Sequence, residues 1–195
     1  LVLKRSFDLL VSSVFLCTFF PLIFLIVGTA IKCTSPGPVL FRQKRHGKNG
    51  RVFTCLKFRT MRVNNVADTQ PAQANDSRIT PLGGFLRRTY IDELPQFINV
   101  LRGDMSVIGP RPHMLDDTRR FALDVDDYMS RLTVRPGITG LAQVKGYMGE
   151  VRTPEDLAGR VWYDLYYIDH WSFSLDVCIF LRTFHNFLVG DNQQK

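Results

Sequence analysis

The chain is poor in residues that cross-link or ligate. Its four cysteines, Cys17, Cys33, Cys55 and Cys178, contain no C-x-x-C pair. That argues against a disulfide frame or a zinc site and leaves them as reduced apolar fillers. Its four histidines show no ligand spacing, so none is a candidate site residue. No zinc-finger spacing or aromatic RNP motif occurs, and nucleic acid is therefore not an expected partner. Internal repeats and low-complexity tracts are missing. So is the strand–helix alternation of a nucleotide-binding α/β sheet. Acidic residues are also scarce: 18 against 25 basic ones give a net charge of +7 at pH 7. Such a surplus favours anionic partners such as nucleotides or phospholipid head groups. The 195 residues suffice for one domain with a real core. Residue 1 is Leu and not Met, which leaves room for a preceding domain, and a homo-oligomer also stays open.

What the chain has first is a long apolar run over residues 7–31, interrupted by Asp8 and small polar residues. At about 1.5 Å per residue it is long enough to cross a bilayer. Its length and the lack of a small-residue cleavage site argue against a signal peptide. A spanning helix is the default reading, but Pro21 breaks the hydrogen-bond ladder near the middle. Basic residues flank both ends, Lys4 and Arg5 before it and Lys32, Arg42, Lys44, Arg45 and Lys48 after it. The positive-inside rule then puts both ends in the cytoplasm. A kinked, re-entrant helix satisfies both facts. Asp8 is expected to pair with Lys4 or Arg5. The Ser-Pro-Gly-Pro breaker at residues 35–38 ends this segment. Two extended runs around Asn49-Gly50 then read as a β-hairpin. Lys57 and Arg59, two apart in its second strand, are expected on one face.

The densest stretch is residues 87–112, RRTYIDELPQFINVLRGDMSVIGPRP. Leu94, Phe97, Ile98 and Leu101 form one helical face. Pro95 suits the first turn and Gly103 the stop. Asp92 and Glu93 are therefore expected at the N-terminus of a short helix, where negative charge is stabilised. Acids in a first turn commonly serve only as caps. Here Arg87, Arg88, Arg102 and Arg111 surround them in sequence. Pro110 and Pro112 flank Arg111, restricting its conformations and lowering the entropy lost when it grips an anion. An anionic nucleophile or metal ligand among arginines is what a phosphoryl-group enzyme needs.

Residues 62–77 are polar and aperiodic and read as a loop able to cover the site. Residues 118–132 read as a helix whose aspartates form a solvated face. Residues 135–140, RPGITG, place two glycines where backbone approaches a ligand closely. Residues 160–168 carry Trp162, Tyr163, Tyr166 and Tyr167, which suit a core or a membrane interface. Residues 171–189 read as an amphipathic helix in the interface plane or against the N-terminal helix.

Residues 91–112, with KFRTM at 57–61 and RPGITGLAQV at 135–144 in the same order, strongly resemble the bacterial sugar transferase family. These are the monotopic polyprenol-phosphate phosphoglycosyltransferases, and with the apolar N-terminus the resemblance covers nearly the whole chain. It implies transfer of a sugar-1-phosphate from a UDP-sugar to undecaprenyl phosphate with release of UMP. The C-terminal motif is most similar to the exopolysaccharide-priming branch, implying UDP-glucose or UDP-galactose as donor. N-acetylated sugars stay open. Family members commonly carry Ser before the kink proline; here it is Phe20. The expected route has two steps, with Asp92 the nucleophile of a covalent intermediate and Glu93 holding Mg²⁺ or handling protons; its rival is direct displacement, with Asp92 only a metal ligand. Both acids are thus candidate metal ligands. Lys57, Arg59, Arg87 and Arg111 are the expected phosphate binders, with Arg135 and Gln143 after them. Asp104 is expected to orient an arginine or reach the metal, and residues 146–150 to shape sugar choice.

The expected fold is α+β: a re-entrant membrane helix over residues 1–34 and a compact catalytic domain over residues 35–195. That domain would lie on the cytoplasmic face of the bacterial inner membrane, with a small hairpin and interfacial amphipathic helices. Two other classes compete. A UDP-releasing glycosyltransferase would move the sugar alone. A basic, non-catalytic membrane-surface adaptor would have no use for Asp92-Glu93.

Overall fold

The computed structural model describes residues 2–64, 76–149 and 151–189. Residues 65–75, most of the stretch expected to form a loop over the site, lie outside them, as does Glu150. The apolar run forms two helices, α1 (Val2–Thr18) and α2 (Phe20–Thr34), bent by 58° at the break before Pro21. The break follows from the N–H that proline lacks and the clash of its ring. No single described helix is long and apolar enough to cross a membrane, whereas the bent pair together is. Phe20 packs on Phe15, Phe24 and Phe58, an aromatic wedge between the bend and the end of the hairpin. The Thr18 hydroxyl donates back to the Val14 carbonyl at 2.6 Å beside the break.

The two fully buried side chains of α1, Asp8 and Ser12, are polar. Asp8 does not pair with Lys4 or Arg5. Its carboxylate accepts from the Ser106 hydroxyl at 2.9 Å and the Val107 N–H at 2.8 Å. A buried backbone donor needs an acceptor, and that need outweighs the neighbouring charges. Lys4 instead reaches Asp176 at 2.8 Å, and Arg5 donates to the Val100 and Leu101 carbonyls.

Strands β1 (Leu40–His46) and β2 (Val52–Phe58) pair antiparallel, from Leu40↔Phe58 to His46↔Val52. Asn49 (φ 56°) and Gly50 (φ 74°) make the turn, the left-handed geometry those residue types tolerate. Helix α3 (Pro81–Arg88) is capped by the Thr80 hydroxyl, which accepts from the Gly83 N–H at 2.9 Å. A single 3₁₀ turn (Ile91–Glu93) precedes α4 (Gln96–Arg102), which Gly103 ends at φ 89°. Strand β3 (Ser106–Ile108) runs parallel to β4 (Gly137–Thr139). Between them lie α5 (Leu115–Asp124) and a 3₁₀ stretch (Tyr128–Thr133). The one helix expected over 118–132 is thus two pieces, parted where Asp127 turns left-handed at φ 58°. The short α6 (Leu141–Val144), then α7 (Pro154–Asp169) with its Thr153–Asp156 capping box, and α8 (Phe173–Val189) complete the order.

The architecture is α+β, with two small two-stranded sheets among the described residues. The largest core cluster joins β2, α4, β3, α6, α7 and α8 through residues such as Phe53, Val100, Met105, Val107, Tyr167 and Ile179. Phe7 and Val11 of α1 pack onto it. A second cluster, Ile31, Phe58 and Leu86, seats α2 on the hairpin and α3. Both halves of the bent pair are therefore held by the same body that carries Asp92 and Glu93.

Candidate active site

Asn99 fixes the site's frame. It is fully buried, accepts from the Leu56 N–H at 3.0 Å and donates to the Thr54 carbonyl at 2.7 Å. These two bonds dock α4 edge-on to β2, so the turn before α4 lies beside the end of that strand. Asp92 and Glu93 belong to that turn and not to the helix itself. Tyr90 leads into it at φ 53°. A left-handed non-glycine residue costs roughly 1–2 kcal/mol, and such strain gathers at functional sites.

The two acids differ sharply. Glu93 is saturated: Lys57 Nζ donates to its Oε1 at 2.6 Å, and Arg111 grips both oxygens, at 2.5 and 3.0 Å. Burial works to raise the Glu93 carboxyl, but the charges and hydrogen bonds of Arg111 and Lys57 outweigh it and hold the group well below its ordinary range. Asp92 is as deeply buried, yet no hydrogen bond reaches its carboxylate among the described residues. Burial, helped by the neighbouring Glu93 charge, raises it to about 6 against the pull of Lys57, Arg87 and Arg111. At neutral pH it is an ionised carboxylate with no hydrogen bond from the described residues, facing three cations.

Arg111 arrives from the far side. The Gly-Pro-Arg-Pro stretch after β3 lies against the Arg-Pro-Gly stretch that leads into β4. Ser106 N–H donates to the Pro136 carbonyl, Gly109 N–H to Thr139 and Gly137 N–H to Pro110, at 2.8 to 2.9 Å. A side chain at Gly137 or Gly140 would overlap the Gly109 backbone. The close approach that these glycines were expected to give a ligand is given to another strand. Arg131 donates to the Arg111 carbonyl at 3.0 Å and pairs with buried Asp164 at 2.6 Å. Arg45 holds the Pro112 carbonyl. His113 is buried between Tyr128, Arg131 and Arg160. Burial and the surrounding arginines hold its imidazole well below the ordinary range, hence neutral. Its Nδ1 faces the Tyr128 hydroxyl and Arg131 Nη1, and its Nε2 faces Arg160 Nη1 at 3.3 Å.

Of the residues expected from the sequence, the structure brings Asp92, Glu93, Lys57 and Arg111 into one cluster. Arg87 stands beside it: its Nε donates to the Thr60 hydroxyl at 2.9 Å, and its charge acts on Asp92. Arg59 is elsewhere. Strand β2 ends at Phe58, so the two-residue periodicity that would align Arg59 with Lys57 stops short of it. Arg59 is buried and donates to the Ser35 hydroxyl and to the carbonyls of Ser35, Pro36 and Pro38. It ties the end of α2 to the hairpin. Arg135 is exposed and has no partner among the described residues. Gln143 is buried and donates to the Ile138 carbonyl at 3.1 Å, bracing the β4–α6 turn. Asp104 accepts from Asn99 at 3.2 Å and pairs with no arginine among the described residues. The sequence reading missed Asn99, His113, Arg131 and Asp164. Only His113 had a signal, its place directly after the Arg-Pro pair. Arg131 and Asp164 meet across separate helical elements.

No group of three acid, histidine or cysteine side chains suited to a metal occurs among the described residues. Magnesium is commonly held by one or two carboxylates with substrate phosphates and water. Asp92 fits that demand. Glu93 does so only once its two cations turn to another anion.

A family model described as bacterial sugar transferase matches residues 1–190. A protein of Klebsiella pneumoniae named UDP-glucose:undecaprenyl-phosphate glucose-1-phosphate transferase is 47% identical over 96% of this chain and 41% of its own length. The like-named protein of Escherichia coli K12 is 45% identical over 96% of this chain and 40% of its own. An Aeromonas hydrophila protein named UDP-N-acetylgalactosamine-undecaprenyl-phosphate N-acetylgalactosaminephosphotransferase is 43% identical over 96% and 44%. The chain thus spans about two fifths of the length of these relatives. With the match running from end to end of the fold and through every element of the acid–arginine cluster, the chain belongs to the bacterial sugar transferase family.

Proposed function

We propose that this chain carries a phosphoglycosyltransferase activity. It moves a hexose-1-phosphate, from UDP-glucose or UDP-galactose, to undecaprenyl phosphate and releases UMP. That is the first membrane step of exopolysaccharide or other surface-glycan synthesis. The names of the Klebsiella and Escherichia relatives support the donor and acceptor classes. The observation that carries the chemistry is Asp92: buried, unpartnered among the described residues and ringed by Lys57, Arg87 and Arg111. A carboxylate in that state is a competent nucleophile, and phosphoryl transfer is otherwise positioning and charge neutralisation.

In the first step an Asp92 oxygen bonds to the donor phosphorus that bears the sugar. The P–O bond to the other phosphate breaks and UMP leaves with its electron pair. In the second step an oxygen of undecaprenyl phosphate attacks the same phosphorus, and the bond to Asp92 breaks. Lys57 and Arg111, held at rest by Glu93, are the cations nearest to hand for the phosphates. Glu93 keeps both in place between turnovers. Mg²⁺, held by Asp92 with the donor phosphates, would supply further neutralising charge.

The bent α1–α2 pair, with Lys4 and Arg5 in its first turn and Lys32 in its last, supports a re-entrant insertion from the cytoplasmic side of the inner membrane. Leu10, Val14, Leu22, Leu25 and Ile26 on that pair, and Leu181 and Phe184 on α8, are exposed apolar residues that a bilayer would cover. The test is product identity in detergent with undecaprenyl phosphate, Mg²⁺ and a panel of UDP-sugars. Acceptor-dependent UMP is expected. UDP would mean that the sugar leaves its phosphate behind and would overturn the proposal.

A further inference from the structure

The first turns of α1 carry three charged side chains, and each is bonded to a different part of the body. Lys4 reaches Asp176 of α8 and the Tyr167 hydroxyl of α7, both at 2.8 Å. Arg5 donates to the Val100 and Leu101 carbonyls in the last turn of α4, at 2.7 and 3.1 Å. Asp8 accepts from the Ser106 hydroxyl and the Val107 N–H of β3. The three attachments differ in what lies beyond them. Neither α7 nor α8 carries a residue of the acid–arginine cluster. By contrast, α4 follows directly on the Asp92–Glu93 turn, and β3 ends three residues before Arg111.

Asp8 does for β3 what a further strand would do. In its two-stranded sheet β3 has β4 on one edge. The Ser106 N–H donates to the Pro136 carbonyl at 2.8 Å on the β4 side, whereas the next N–H, that of Val107, is taken by Asp8 Oδ1 at 2.8 Å. Val107 and Asp8 are both buried, and a buried edge N–H requires an acceptor. No other described group accepts from it.

The link from β3 to Arg111 is short and stiff. Gly109 lies so close to Gly137 and Gly140 that a side chain at either would overlap its backbone. Pro110 and Pro112 restrict the chain on both sides of Arg111. A shift of β3 therefore moves the Arg111 guanidinium relative to Asp92. A misplacement of about 1 Å, caused far from the chemistry, is able to cost on the order of 10²-fold in rate.

We propose that Asp8, in the first half of the bent helix pair, is a positioning residue for the transfer reaction: it fixes β3 and, through β3, the reach of Arg111 toward the donor phosphates. The role rests on the sugar-phosphate transfer proposed above. It makes the seating of α1 part of the geometry of the active site.

The test uses the full-length protein in detergent with undecaprenyl phosphate, Mg²⁺ and radiolabelled UDP-hexose, so that slow variants still register. Rates are taken per folded molecule, with the folded fraction from thermal melts. Asp8→Ala is expected to lower kcat/KM for the donor by about 10- to 100-fold. Asp8→Asn keeps an oxygen for the Val107 N–H and should stay closer to wild type. Asp8→Glu, one methylene too long for a buried site, displaces β3 without removing the acceptor and carries the same prediction should Asp8→Ala not fold. Lys4→Ala loses only the bonds to α7 and α8, so it should melt lower while keeping donor kcat/KM within about twofold. A double-mutant cycle separates positioning from a general loosening of the fold. In an Arg111→Ala background, Asp8→Ala should cost less than about twofold more, because the group it positions is gone.

With UMP released by the wild type, an equal fold-loss from Asp8→Ala in both backgrounds would overturn this inference alone, as would unchanged donor kcat/KM in the Ala and Glu variants. A wild type that releases UDP, or no nucleotide from any donor, would overturn the transfer reading and this inference with it.

Discussion

Two of the buried carboxylate sites in this molecule, Asp176 and the Asp92–Glu93 turn, are built to opposite plans. Asp176, on α8, is fully buried and fully answered. Tyr167 donates to its Oδ1 at 2.6 Å, and Lys4 and the Trp171 indole donate to its Oδ2 at 2.8 and 3.0 Å. That knot ties α1, α7 and α8 together and leaves no lone pair seeking a ligand. The Asp92–Glu93 turn has comparable burial but gives all its hydrogen bonds to one acid. Glu93 takes Lys57 and Arg111, while Asp92 takes none among the described residues. Burial alone does not mark a working carboxylate. What sets Asp92 apart is that its carboxylate takes no hydrogen bond from the described residues while facing three cations, a combination that points to a functional site.

The strongest way to break this comparison is to exchange the consequences of losing each acid. Asp92→Asn is expected to lower turnover by at least about 10³-fold and yet to stabilise the fold. The Asp92 pKa is raised in the folded state, so the stability linked to its proton is present below its unfolded value and lost as pH rises through about 6. At pH 7 its charge is a burden, and removing it should add on the order of 1–3 kcal/mol. Asp176→Ala should do the reverse, costing about 3–5 kcal/mol because Lys4 is left unpaired. Turnover per folded molecule should stay within about twofold. Denaturant melts and UMP release on the same preparations check both.

Glu93→Gln should combine the two losses. The Glu93 pKa is depressed, so its stabilisation is present above the ordinary carboxyl range and disappears as pH falls through the lowered value. Breaking its pairs should cost about 3–5 kcal/mol, with activity falling because Lys57 and Arg111 lose their common anchor.

A gentler probe is pH. The rate at limiting donor should climb through about pH 6 as Asp92 ionises. Below that it should fall by about tenfold per unit. A rate flat from pH 5 to 8 would speak against an ionising nucleophile.

Smaller still is the effect expected at Arg59. Arg59→Ala should destabilise by about 2–3 kcal/mol through its lost charge-assisted bonds, with the donor KM unchanged. A raised donor KM without loss of stability would restore Arg59 to the phosphate site.

The pattern of what could be read in the sequence follows the same physics. Asp92, Glu93 and the proline-flanked Arg111 lie within one stretch whose helix and stop signals are local, so their neighbourhood was legible. The bend at Pro21 was legible for the same reason, since proline acts on its own turn. Arg59 was misplaced because the strand period was carried one residue beyond the strand. Asp8 was misplaced because its partner is a backbone N–H of β3, 99 residues away, which no helical spacing reports. The Arg131–Asp164 pair that backs Arg111 is equally non-local. The unequal fates of Asp92 and Glu93 depend on which of two adjacent side chains the cations reach, and only the folded chain decides that.

The most direct test of the account is to look for the sugar phosphate on Asp92 itself. The protein is mixed with a UDP-hexose that it turns over, without undecaprenyl phosphate, quenched and digested, and the peptide containing residue 92 is weighed. The account predicts a hexose-phosphate adduct on Asp92, a stoichiometric burst of UMP, and loss of the adduct when undecaprenyl phosphate is added before the quench. An unmodified peptide, with UMP appearing only once the acceptor is present, would contradict it and make the transfer a direct displacement.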